Sequence, residues 1–151
     1  MATIRERVTQ AVIDTTISVE LETAITVDGK AGWQINEVGF LWDNSLFAVA
    51  GDYSVAAYLA TETGAIVPEQ PEVIAVSSWA AQDTGGVAVI LGVEPFKLAP
   101  LFEPRITVQP SIFFTLASFG TGIANSGVFY VNYEIVKLSD LEVMRLLAGG
   151  A

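Results

Sequence analysis

From Thr15 the chain alternates apolar and polar residues with a period of two. Ile17, Val19 and Leu21 stand against Ser18, Glu20 and Glu22, the pattern of a half-buried strand. The alternation runs on to residue 27. Asp28 and Gly29 then give a hairpin signal, because both central positions of a type I′ turn need positive φ. In the next strand Trp33, Ile35 and Glu37 share one parity, and Val38, Phe40 and Trp42 share the other. That strand either bulges between Ile35 and Val38 or is buried on both sides. Asp43, Asn44 and Ser45 make a turn cluster, and Gly51 and Asp52 another. Residues 53–61 alternate again, residues 62–72 with Gly64, Pro68 and Pro71 read as a loop, and residues 73–79 are a further strand. Asp83, Thr84, Gly85 and Gly86 turn the chain into a buried strand at 87–93.

Pro95, Pro100 and Pro104 predict an extended crossing loop over residues 94–104. The longest strand candidate is 105–119, where Pro110 demands an edge position or a break. Gly120, Gly122, Asn125 and Gly127 build a loop before the last strand, 128–138. The period then changes to helical. Ser139, with Glu142 three residues later, is a capping box, with Leu138 and Val143 placed as a hydrophobic staple and Gly149 as a C-terminal cap. The helix runs over residues 140–147. About eight short strands, no interior helix and Pro/Gly-rich loops predict an all-β fold, an antiparallel β-sandwich of the single jelly-roll kind with a short C-terminal helix. Residues 1–14 read as an N-terminal arm, 15–138 as the sandwich, and 139–151 as helix and tail.

Composition narrows the chemistry. The 151 residues include no His and no Cys, which removes the usual proton shuttle near neutral pH, the thiol nucleophile and the commonest transition-metal ligands. Apolar residues make up 52% and charged residues only 16%, against about 25% charged in typical domains. The excess of apolar positions means either an unusually large core for the chain or apolar surface kept for partners. The net charge of −10 repels nucleic acid and anionic lipid, so the folded body is not expected to bind a nucleic acid directly. No apolar run reaches the ~18–20 residues of a transmembrane segment, and the polar start reads as no signal peptide.

Several patterns invite a chemical reading. Asp83-Thr84-Gly85 matches the active-site tripeptide of aspartic proteases, in which two Asp share a proton, and a dimeric protease using Asp83 is one alternative. Its flanks, Ala81-Gln82 and Gly86, fit a turn better. Asp28, Asp43, Asn44, Asp52 and Asp83 lie in predicted loops but lack the spacing of a calcium loop. Glu20 and Glu22 share a strand face and read as solvated. No phosphate-binding loop is present. Trp33, Trp42 and Trp79, with Phe96, Phe102, Phe113, Phe114 and Tyr130, suggest a second alternative, a carbohydrate- or ligand-binding sandwich of the tail or spike kind. No catalytic, cofactor-binding or metal-binding residue is assigned.

The order of elements resembles a viral single jelly-roll capsid protein. A short arm bearing Arg5 and Arg7 leads into about eight strands, a Pro-rich crossing loop and a closing strand that ends in a small helix. The stretch from Val128 to Glu142, VFYVNYEIVKLSDLE, resembles the C-terminal ends of small coat-like proteins of environmental viruses. The resemblance implies a structural protein of the virion that assembles with itself, with or without a second coat protein. Arg5 and Arg7 of the arm, Leu98, Leu101 and Phe102 of the crossing loop, and Leu141, Met144 and Leu147 of the helix are the expected subunit contacts. The helix is equally suited to packing on its own domain. One departure from the family is plain: Arg5 and Arg7 are cancelled by Glu6 and Asp14, so the arm lacks the strong positive charge that neutralises a genome.

Overall fold

The structure, a computed structural model, describes residues 1–25, 30–43, 51–63, 72–83, 88–92 and 99–148. Within them nine strands precede one helix. The strands are β1 (Ala2–Thr9), β2 (Thr16–Glu22), β3 (Ala31–Trp42), β4 (Tyr53–Ala60), β5 (Val73–Asp83), β6 (Ala88–Gly92), β7 (Ala99–Thr107), β8 (Ser111–Phe119) and β9 (Ser126–Lys137). The helix is α1 (Asp140–Leu147). A first sheet has the order β1-β9-β3-β7 and a second the order β2-β8-β4-β5-β6. Every pairing is antiparallel. The pairs are nested along the chain: β1 with β9, β2 with β8, β3 with β7, and β4 with β5.

Period-two alternation turns one parity of each strand into the gap between the sheets. Ile35, Phe40 and Trp42 of β3 and Phe129 and Val131 of β9 meet Val55, Ala57 and Leu59 of β4 and Ile112, Phe114 and Leu116 of β8, all buried. Each large apolar side chain so enclosed is worth roughly 1.5–3 kcal/mol over leaving it in water. Phe114 and Phe129 join the two sheets directly, with ring centroids 4.7 Å apart, and Phe40 lies 4.5 Å from Phe129. The parity change in β3 is a bulge: the register against both β7 and β9 shifts between Ile35 and Glu37. It lets Trp33 and Ile35 on one side of the shift, and Phe40 and Trp42 on the other, all reach the core.

Two expectations change, and at Pro110 the break is the alternative found. Residues 1–14 are not an arm apart from the sandwich, because Ala2–Thr9 is strand β1, bonded to β9 along its length, with Val8 fully buried. Its inward parity, Ile4, Glu6 and Val8, contains a glutamate, which hid the alternation. Residues 94–104 are not all loop, since Ala99–Thr107 is strand β7 and holds Pro100 and Pro104. The prolines are tolerated because β7 is the outermost strand of its sheet. Residues 105–119 break near Pro110 into two strands that lie in different sheets.

The helix forms as its caps predict. Ser139 Oγ accepts from the Glu142 backbone N–H while the Glu142 carboxylate accepts from that of Ser139. Val143 packs with Leu138 and Val108 in a small second core. The chain leaves the helix through Ala148 at φ −78°, and Gly149 lies outside the described residues, as do Asp28 and Gly29 of the hairpin signal.

Candidate assembly surfaces

The outward parity of the first sheet carries charge in cross-strand rows. Thr3 donates to Asn132 Oδ1 (2.7 Å), and Asn132 Nδ2 donates to Glu37, linking β1, β9 and β3. In the next row the Arg5 guanidinium lies over the Tyr130 ring, 5.5 Å from its centroid. Beyond it Arg7 faces Val128 and Leu41 in register. Toward the opposite end, the N-terminal amine approaches Glu134 (4.0 Å).

Helix α1 covers that opposite end. Ile106, Val136 and Leu146 join its small core, and Gly32 permits the approach, since a Cβ there would meet Leu138 at 2.9 Å and the Thr107 carbonyl at 3.1 Å. Lys30 pairs with Asp140 at the helix start (2.9 Å). The helix therefore packs on its own domain through Val143, and Leu141, Met144 and Leu147 remain 59%, 67% and 47% exposed. Arg5 and Arg7 are exposed on the same sheet face as the helix but nearer its other end. Leu98 lies outside the described residues. Leu101 and Phe102 fall on β7, and only their backbone is described.

The outward parity of the second sheet is different. Its rows read Ser18–Thr115–Tyr58–Val76, then Thr16–Ala117–Ala56–Ser78, then Phe119–Ser54–Ala80. No side chain in these rows is charged. Glu20 and Glu22 stand only at the β2 margin, where Glu20 accepts from Ser111. Thr115 is fully buried although it points outward, and it is bonded to Ser18 (2.7 Å). The signal of this face was present in the sequence: residues 53–60, 73–82 and 111–119 contain no Asp, Glu, Lys or Arg. Hydropathy alternation alone does not reveal it, because Ser, Thr and Ala satisfy the outward parity without charge.

At one end of the sandwich a polar network ties the β1–β2 connection to the β8–β9 connection. Buried Gln10 accepts through Oε1 from Asn125 N (2.9 Å) and Nδ2 (3.1 Å), and donates to Ser118 Oγ (3.0 Å). Asp14, at φ +51°, accepts from the Thr121 hydroxyl and backbone N–H (both 2.8 Å) and from Gly122 N–H (3.3 Å). These donors, the Thr121 hydroxyl first, hold the Asp14 carboxyl below the usual aspartate range. Gly120 at φ +75° sits where a Cβ would strike the Asp52 carbonyl at 2.6 Å. Around this fixed frame Val12, Ile13 and Phe119 are exposed.

Among the described residues, those suggested for other chemistry are not gathered. Trp33 and Trp42 are 5% and 2% exposed and Phe114 is fully buried, so they form no carbohydrate platform. Trp33 instead stacks on Tyr133 with centroids 3.9 Å apart. Asp83 ends β5 and pairs in register with Ala88, and the intervening residues 84–87 lie outside the description. Among the described residues no group of three carboxylates is placed to hold a metal ion, and no helix is long and apolar enough to cross a membrane. Compared with known proteins, the sequence matches no protein-family model and no curated protein.

Proposed function

We propose that this chain is a single jelly-roll building block of a viral shell, acting in the virion by self-association rather than by catalysis. The observation that carries the reading is the nesting of strand pairs, β1·β9, β2·β8, β3·β7 and β4·β5. A jelly roll is one long antiparallel ribbon wrapped so that successive pairs fall in opposite sheets. Here the pairs alternate in that way, first sheet, second, first, second, with β6 added beside β5. The exposed apolar residues support a role in subunit contact. Leu141, Met144 and Leu147 on the helix, and Val12, Ile13 and Phe119 at the far end, are held on rigid supports, and their exposure serves no need of the monomer. The partners are further copies of the chain, with or without a second coat protein. Genome contact is not assigned to it, because the chain carries a net charge of −10.

Light scattering with negative-stain imaging of purified protein tests the proposal. Large closed particles, of the chain alone or with a co-expressed coat protein, are expected. A strictly monomeric species in both preparations overturns the proposal.

A further inference from the structure

We infer that the outer edges of β1 and β2 are a docking surface for the same two edges of a second copy, β1 of each copy pairing with β2 of the other about a twofold axis. This names a contact for the shell reading and rests on its premise that copies of the chain bind one another.

The two edges lie on one flank of the sandwich. β1 ends the first sheet and β2 the second, and no described strand pairs with the outer edge of either. Residues 10–15 join them at one end, where the Gln10 side chain donates to the Thr15 carbonyl, so the two strands run in opposite directions. Prolines commonly guard a strand edge. β7, at the other edge of the first sheet, carries Pro100 and Pro104, whereas β1 and β2 hold none. The flank also leaves the core unfinished. Ile4 of β1 and Ile17, Val19 and Leu21 of β2 pack against the core but stay only half-buried. Their counterparts in the interior strands, Val55, Leu59, Ile112 and Phe114, are enclosed.

Charge argues for a second copy as the occupant and selects which edges meet. The outward charges of β1 are Arg5 and Arg7, and those of β2 are Glu20 and Glu22, all exposed. β1 against β1 sets arginine beside arginine, and β2 against β2 sets glutamate beside glutamate. β1 against β2 brings unlike charges together. A twofold axis running along the strands, between the two sheets, makes that pairing twice. It carries the partner's β2 into the plane of the first sheet, antiparallel to β1, and the partner's β1 into the plane of the second. The sheets of an aligned sandwich are inclined by about 30°, and the same rotation reverses the inclination, so the facing strands lie side by side. In the register that uses all seven residues of β2, Arg5 faces the partner's Glu20 and Thr3 the partner's Glu22, with Arg7 diagonal to the partner's Glu20. On the inward parity Ile4 meets the partner's Leu21 and Val8 the partner's Ile17, which closes the core of both copies. Each seam forms about seven main-chain hydrogen bonds, the source of affinity when a strand is added to a sheet. Arg5 already lies over Tyr130, and Glu20 already accepts from Ser111. A guanidinium has five donors and a carboxylate about four acceptor sites, so both keep capacity for the partner. Glu6 is the one charged inward residue of the two strands, and its desolvation opposes the pair.

Charge exchange tests the pair in the full-length protein. Arg5→Glu and Glu20→Arg each set like charges against one another at both seams. Each should weaken self-association by about tenfold or more in sedimentation equilibrium. Glu20→Arg also makes an acidic chain less acidic, so relief of overall repulsion alone would strengthen association instead. Mixed in equal amounts, the two variants match at both seams and should pair as tightly as the parent. Glu20→Arg associating as tightly as the parent, a mixture no tighter than the separate variants, or a parent that stays monomeric overturns the pair. Closed particles that form from each variant alone overturn this contact while leaving the shell reading intact. Pairing that follows the charge exchange, in a protein that never forms particles, keeps the contact and overturns the shell.

Discussion

The two outer faces of the sandwich arise from the same alternation, share one core and are of similar extent, yet they carry different side chains. On β1-β9-β3 the outward rows include Arg5, Arg7, Glu37 and Glu134, and helix α1 covers one end through Gly32, Ile106 and Val136. On β8-β4-β5 the outward rows contain hydroxyl, methyl and aromatic groups. The core therefore dictates which parity points outward but not what occupies it. An exposed sheet face usually holds charge to keep copies apart. A chain that places charge on one face and not on the other gives the two faces different relations to water.

The core is the element both faces depend on, so its loss should have the largest effect. Phe114 lies between the sheets against Phe129 and is fully buried. Phe114→Ala is expected to cost about 3–5 kcal/mol, read as a lowered urea midpoint. Loss of fixed tertiary structure should appear on both faces together, in one transition. Separate transitions for probes on the two sheets would show that the faces belong to independently stable units, and would break the comparison.

A smaller effect is expected within the charged face alone. Asn132 is the middle link of the row Thr3–Asn132–Glu37, donating to one neighbour and accepting from the other. Asn132→Ala removes both bonds at a half-buried position and should cost about 1 kcal/mol, the usual worth of such hydrogen bonds. The loss is read as a lowered urea midpoint. A loss as large as that of Phe114→Ala would make this surface row as necessary to the fold as the core, and would break the comparison.

Much of the sandwich is legible in the sequence because inward positions must be apolar whatever surrounds them. Ile17, Val19, Leu21, Val55, Leu59, Phe129 and Val131 announce their strands by period alone. Ser139 and Glu142 announce the helix, because the capping box is a local bond pattern. β1 escapes because Glu6 occupies an inward position at the rim of the edge strand, interrupting the alternation of Ile4 and Val8. β7 escapes because Pro100 and Pro104 mimic a loop, and only the sheet order reveals an edge strand that can hold them. The uncharged face escapes for a different reason. It is assembled from strands far apart in the chain, so it appears only when their register aligns Ala56, Ser78 and Ala117 in one row.

The smallest effect is expected at the end of the sandwich, where Asp14 ties the two sheets' connections together and so keeps the faces in register. Its carboxyl accepts from Thr121 and Gly122, and these bonds favour the charged form, lowering its pKa below the ordinary value. A carboxyl that holds its proton less tightly folded than unfolded stabilises the fold fully above the unfolded pKa. That contribution is lost as pH falls through the folded pKa. Asp14→Asn keeps the backbone conformation at φ +51°, which Asn tolerates, and keeps one acceptor oxygen while removing the charge. The variant should therefore be slightly less stable than the parent at neutral pH. The gap should close as both are taken below about pH 4, where the unfolded-state Asp is protonated. Because Asp14 is exposed, water screens the interaction and the neutral-pH gap should be smaller than that of Asn132→Ala. Urea midpoints of the two proteins across the acid range measure it. A gap that persists unchanged in acid would assign Asp14 a purely steric role in its turn. A gap that closes would place the bond to Thr121 among the ties that hold the charged face and the uncharged face on one frame.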